Sequence, residues 1–189
     1  MAADSAAAAN MGFFYTGKGD QGESHIGAKK YPKDSPVLEA LGELDELNSF
    51  IGWVRSYKGT ELGRQLKNVQ ETLFIIQARV GHLLAPEYPG PELAESKIRE
   101  LEQAIEEIEA KLQPERGFVI PGADPVSAQL DILRAVSRRV ERAVFRLHKE
   151  NPLPQEILTY LNRLSSYFFA LARLQVFSEE VKESKPKYE

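Results

Sequence analysis

Apolar residues recur along most of this chain at alternating steps of three and four, and each run ends at prolines and glycines. Val37, Leu41, Leu44, Leu47, Ile51 and Val54 form the first stripe. It predicts a helix from Pro36 to about Tyr57, with Ser35 as its N-cap and Pro36 in the first turn, where a missing N–H costs nothing. Leu62, Leu66, Val69, Leu73, Ile76, Val80 and Leu83 form a second stripe that stops at Pro86. After the turn Pro89, Gly90, Pro91 comes a third, made by Ala94, Ile98, Leu101, Ile105, Ile108 and Leu112 beneath a heavily charged outer face. Asp124 and Pro125 restart helix, and Val126, Leu130, Leu133, Ser137, Val140, Val144 and Leu147 carry its stripe. Beyond the break at 151–154, Ile157, Leu161, Leu164, Phe168 and Leu171 define the last.

Helices of ~20 residues, each ~30 Å long, joined by short turns predict an all-α, antiparallel five-helix bundle. The repeat lies close to 3.5 residues, which favours shallow crossing angles. No alternating strand pattern competes. From Met11 to Ser35 the sequence reads instead as a long ordered or half-ordered loop, to which Phe13, Phe14 and Tyr15 give something to pack with. The expected organisation is a flexible tail over 1–14, one helical domain over 15–181 and a short tail over 182–189.

Composition narrows the chemistry. At 189 residues one domain is expected. Lys+Arg 24 against Asp+Glu 28 gives a net charge of −4, which argues against general nucleic-acid binding and makes any anion site local. With no cysteine there is no thiolate metal site or cysteine nucleophile, and the three histidines leave little for a histidine metal centre. The Ala-rich opening lacks Arg and carries Asp4, so it resembles neither a secretion signal nor a presequence. No segment approaches the ~20 apolar residues needed to span a bilayer. A soluble, cytoplasmic protein without membrane partners is expected.

Three helices then place polar side chains beside their apolar stripes rather than opposite them. Arg134, Arg138 and Glu141 recur at i, i+4 and i+7, so they share one face at the edge of the core. Two arginines held there require anions, either carboxylates or an anionic ligand. Asp45 and Asn48 on the first helix, and Asn162, Ser165 and Ser166 on the last, are offset in the same way. Any one of these reads as a solvated flank; together they point to a polar site or to an interface between subunits. The glycine-rich TGKGDQG, Thr16 to Gly22, contains GxGxxG without the strand and helix a dinucleotide fold needs. It remains either a loop whose backbone, with Thr16, Lys18 and Lys33, meets a polyphosphate, or an ordinary flexible terminus. Phe118, in FVIPG, is either a hydrophobic plug at the bundle's end or a ligand contact. A di-iron carboxylate bundle needs Glu-x-x-His pairs, and His82 and His148 follow Arg79 and Phe145 instead. His25, in the loop, reads as a surface or ligand-edge residue.

TGKGDQGES, GELDELNSFIG, FVIPG, RAVSRRVER and YLNRLSSYFFALAR, in this order and at these separations, resemble the propanediol-utilisation-type ATP:cob(I)alamin adenosyltransferases. The likeness runs from about Tyr15 to Arg173. It implies a ferritin-like, cobalamin adenosyltransferase-like bundle assembled as a homotrimer. It also implies transfer of the 5′-deoxyadenosyl group of ATP to the Co(I) of a corrinoid, leaving triphosphate; the alternative is a non-catalytic nucleotide- or corrinoid-binding adaptor that delivers cofactor. By the same resemblance Thr16, Gly17, Lys18, Gly19, Asp20, Gly22 and Lys33 wrap the triphosphate of ATP, and Arg134, itself one of the ATP-binding residues, pairs with Asp45 of a neighbouring subunit. Arg138 and Glu141 hold ATP and its Mg²⁺, with Glu141 the possible ligand, and Asn162 completes the nucleotide pocket. Phe118 presses on the corrin's lower face, with Ser165 and Ser166 on the corrinoid side. A corrinoid reductase and an adenosylcobalamin-dependent acceptor enzyme are the implied partners. Two positions depart from the family pattern: Ser166 stands where Asp is usual and Val140 where Ala is common. None of this asks the protein for a nucleophile, since Co(I) is one.

Overall fold

Pro36 and Pro125 each open a helix in the computed structural model, as their missing N–H and fixed φ favour. The structure describes residues 14, 17, 19–26, 29–56, 61–114 and 117–188. The helices are α1 (Pro36–Ser56), α2 (Glu61–Gly81), α3 (Ser96–Leu112), α4 (Pro125–Glu150) and α5 (Gln155–Ser178). Asp124 caps α4 in full: its carboxylate accepts from the backbone N–H of Val126 and Ser127, while the Ser127 hydroxyl oxygen accepts from the Asp124 N–H. Ser35 does not cap α1 as its sequence position suggests. Its hydroxyl is buried without a partner, and only its backbone carbonyl engages the helix, accepting from Glu39 N at 3.0 Å.

The apolar stripes face one common core. Leu44, Leu47 and Ile51 of α1 meet Leu66, Leu73 and Ile76 of α2, Leu130, Leu133 and Val140 of α4, and Leu161, Leu164 and Phe168 of α5 there, all buried. Burial of each such side chain contributes about 1.5–3 kcal/mol. Ala94, expected to begin the third stripe, precedes α3 and is exposed, because that helix starts only at Ser96.

α4 is central, packed between α1 and α5; α2 flanks α1, and α3 flanks α5. Successive helices alternate in direction. Thus Arg139 and Arg146 of α4 meet Glu43 and Glu39 of α1 in antiparallel order. By the same alternation α3 and α5 run side by side in one direction, with Glu102 against Arg163 and Lys111 over Phe177. The linker 113–124 has to cross the end of the bundle for this to happen, and it carries Phe118 there.

The loop expected before α1 contains a small antiparallel hairpin, β1 (Glu23–Ile26) and β2 (Lys29–Pro32), with Ser24 opposite Tyr31. Four-residue strands are too short to show alternation, so the sequence hid them. The hairpin is fastened to the end of α2, where the Tyr31 hydroxyl donates to the Leu84 carbonyl.

Candidate active site

The face of α4 that carries Arg134 and Arg138 opens into a cavity of about 540 Å³. Its walls are the last turns of α3, the second half of α5 and the linker from Pro114 to Pro121. Five residues singled out in the sequence line it together: Phe118, Arg134, Arg138, Ser165 and Ser166. Phe118 is 77% exposed, at odds with a plug, which would be buried. Ser165 is buried and donates to the Asn162 carbonyl at 3.4 Å, whereas Ser166 is exposed.

The two arginines differ. Arg134 Nε donates to Asp131 Oδ1 at 3.3 Å, and Arg173 Nη2 of α5 donates to Asp131 Oδ2 at 2.7 Å. Asp131 is only 5% exposed, so its charge depends on these two cations. Arg138 is exposed and its guanidinium meets no carboxylate among the described residues; only its backbone carbonyl is engaged, accepting from Arg142 Nη1 at 3.0 Å. The cavity therefore presents two arginines, Arg134 and Arg173, held by Asp131, and one, Arg138, that no carboxylate among the described residues meets and that can take an anion.

Glu141 and Asn162 are together too, but not in that cavity. They line a second hollow of about 340 Å³ between α4 and α5, with Phe145, His148 and Arg163. Asn162 Nδ2 donates to Glu141 Oε1 at 2.7 Å, and Asn162 Oδ1 accepts from Arg163 Nη1 at 2.9 Å. Glu141 follows Arg138 by three residues, and Asn162 precedes Ser165 by three, so the two hollows succeed one another along the α4–α5 groove.

The glycine loop lies elsewhere. Thr16 and Lys18 fall outside the described residues. Gly17 and Gly22 hold φ of 67° and 80°, a backbone region that other residues enter at a cost. Lys33 N donates to the Gly22 carbonyl at 2.9 Å, and the Lys33 ammonium covers Gly19, where an added Cβ would lie 3.2 Å from it. Gly19, Asp20, Gly22 and Lys33 are thus gathered among themselves and line neither hollow of their own chain.

On α1, Asp45 is exposed and enters no ion pair with a described residue, while Asn48 is buried and belongs to the packing against α2, its carbonyl accepting from Gln70 at 3.0 Å. The α1 carboxylates that do reach α4 are Glu39, on Arg146, Glu43, 2.6 Å from Arg139 Nε, and Glu46, on the same guanidinium. The hydrogen bonds that Arg139 donates to Glu43 and then to Glu46 raise its pKa above the ordinary value. Among the described residues no group of three or more His, Cys, Asp or Glu could hold a bare metal ion. His82 Nδ1 lies 2.7 Å from the Tyr88 carbonyl, and His148 Nδ1 accepts from Leu153 N at 3.0 Å, so both serve turns.

Sequence reasoning missed Asp131 and Arg173. The first carried a signal: a carboxylate three residues before Arg134 is in reach of it on any helix. The second carried none, since its partners are on α4 and beyond the end of α5.

The chain matches the family model described as cobalamin adenosyltransferase over residues 14–175. It is 34% identical over 165 residues to a corrinoid adenosyltransferase of Bacillus subtilis (strain 168), covering 85% of this chain and 84% of that protein. A human corrinoid adenosyltransferase is 35% identical over 179 residues, covering 87% and 69% respectively. Among solved structures, a variant PduO-type ATP:corrinoid adenosyltransferase from Lactobacillus reuteri, complexed with cobalamin and ATP, is similar with a TM-score of 0.85 and 28% identity, over 92% of this chain and 96% of that one.

Proposed function

The chain belongs to the cobalamin adenosyltransferase family, and on that premise we infer how its own residues carry the reaction. It transfers the 5′-deoxyadenosyl group of ATP to the Co(I) of a corrinoid, forming adenosylcobalamin and triphosphate. The electron pair of Co(I) forms the new bond to C5′, the C5′–O bond breaks, and its electrons leave with the triphosphate. Cobalt is the nucleophile, so the protein's part is to hold, orient and neutralise.

The observation that carries this reading is the contrast between Arg134, matched by Asp131, and Arg138, unmatched in the same cavity as the exposed Phe118. Arg138 takes charge developing on the triphosphate, a role for which one well-placed donor contributes about 3 kcal/mol. Asn162 completes the nucleotide pocket and, through its hydrogen bond, orients Glu141 toward ATP and the ion it carries. Phe118 and the two serines receive the corrinoid.

A magnesium ion fits this donor set only as one that arrives on the phosphates, with Glu141 as the carboxylate available to it; when bound, it neutralises charge on the leaving triphosphate. The family resemblance implies a homotrimer, and the placement of Gly19, Asp20, Gly22 and Lys33 away from both hollows of their own chain supports a reading in which the loop that wraps the triphosphate is a neighbouring subunit's. Arg134 is 32% exposed beside Asp131, which leaves it a side for Asp45 of that neighbour. No helix among the described residues is long and apolar enough to cross a membrane. A cytoplasmic setting, a reductase that supplies Co(I) and an acceptor that uses the product complete the reading.

The test mixes protein, Mg-ATP and chemically reduced cobalamin under anaerobic conditions and follows the corrinoid's visible absorption. Conversion of the Co(I) spectrum to an alkyl-cobalt one is expected. Tight binding of both substrates without conversion would favour the adaptor instead.

A further inference from the structure

Arg173 joins two parts of the site that the reaction uses separately. Its side chain is 10% exposed, within α5. Through Nη2 it holds Asp131, and Asp131 holds Arg134. Its other terminal nitrogen, Nη1, lies 2.6 Å from Glu183 Oε1 in the segment after α5, close enough for an ion pair although the atoms are not aligned as donor and acceptor. The next residue, Ser184, accepts a hydrogen bond from Ile120 N at 2.8 Å, an isolated antiparallel bridge between this segment and the linker that carries Phe118. The guanidinium also lies over the Phe169 ring, 4.9 Å from its centroid.

The linker needs such a hold. Gly117 and Gly122 flank Phe118 with φ of 155° and 104°, and two such permissive positions let the segment between them take more than one orientation in the absence of other contacts. Gly117 and Val119 form a wall between the cavity described above and a further hollow bounded by Val181, Glu183 and Lys185. The C-terminal segment therefore lies behind the linker, opposite the cavity. An aromatic ring that must meet a corrinoid from a loop binds in proportion to the fraction of time the loop is correctly placed.

Resting on the adenosyl-transfer reading, we propose that Arg173 is a positioning residue with two arms. One fixes Arg134 through Asp131. The other, through Glu183 and the Ser184–Ile120 bridge, fixes the linker that presents Phe118 to the corrinoid. The C-terminal segment is then part of the corrinoid site without touching the corrinoid.

The two arms are separable in the full chain. Glu183→Gln cuts only the second, and is expected to raise the KM for corrinoid about tenfold while the KM for ATP stays within about twofold. Exchange of the Ile120 amide proton should quicken in the same variant. Arg173→Met cuts both arms and should raise both constants; if it does not fold, a chain ended after Glu180 repeats the Glu183→Gln pattern. An unchanged corrinoid KM, unchanged Ile120 exchange, or equal losses for both substrates that follow melting temperature alone would overturn the proposal while the wild type still turns over. A wild type that forms no adenosylcobalamin overturns the adenosyl-transfer reading, and this proposal with it.

Discussion

Asp131 and Arg134 stand one turn apart on α4 and meet at 3.3 Å, so the less exposed of the two α4 arginines in the cavity is already matched within its own chain. Asp131 is shared with Arg173 and almost wholly buried. Removing it leaves Arg173, itself only 10% exposed, with Glu183 as its remaining carboxylate. Asp131→Ala should therefore destabilise the fold by about 1–3 kcal/mol, the usual cost of taking one hydrogen-bonding partner from a buried polar group. Urea unfolding measures this, and a loss below about 1 kcal/mol would mean that the pair behaves as a surface contact.

Phe118 offers the opposite case. At 77% exposure it contributes almost nothing to the core, so Phe118→Ala should leave the melting temperature unchanged. Its effect should fall on turnover, and more on reaction started from Co(II) than from Co(I), because a ring against the corrin's lower face favours the four-coordinate cobalt that is easier to reduce. Equal losses from both starting states would contradict that role.

Asn162 and Glu141 are joined at 2.7 Å, and the amide fixes the carboxylate's direction. Asn162→Ala is expected to raise the KM for ATP about tenfold, the effect of losing a hydrogen bond to a charged group, with the corrinoid KM unaltered. Steady-state kinetics with each substrate varied in turn separates the two. A change confined to the corrinoid would reassign the α4–α5 hollow.

The two buried tyrosines of α5 set a limit at high pH. Burial pushes the Tyr167 phenol up to about 12, and burial raises that of Tyr160 as well. In the unfolded chain a tyrosine titrates near 10. Between these values the unfolded state has lost a proton that the folded state keeps, so rising pH favours unfolding. The contribution is intact below about pH 10 and lost as the pH passes about 12. Over that window the wild type should lose on the order of 1–3 kcal/mol more than Tyr167→Phe. Parallel stability curves for the two proteins would refute the assignment.

Much of this fold could be read from single residues. Asp124 with Pro125 marked the start of α4, and the leucines of α1, α2 and α5 named the core, because caps and stripes are local properties. The hairpin at Glu23–Pro32 was not legible: its strands are four residues each and its anchor is a carbonyl at Leu84, far along the chain. At the site, Arg134, Arg138, Phe118, Ser165 and Ser166 stood out by position, with a plug the alternative for Phe118 and a solvated flank or a subunit interface for the others, and they do line one cavity. What position could not tell was which arginine is free. That depends on Asp131 and Arg173, whose meeting across α4 and α5 exists only once the helices pack.

The contrast between the two arginines is therefore the central claim, and single-turnover adenosylation by Arg138→Ala and Arg134→Ala, each beside its melting curve, tests it most directly. Arg138→Ala should lose turnover by about 100-fold or more with an unchanged melting temperature, while Arg134→Ala should lose thermal stability and subunit assembly along with activity. A normal rate in Arg138→Ala, or an Arg134→Ala protein as stable and as assembled as the wild type, would contradict it.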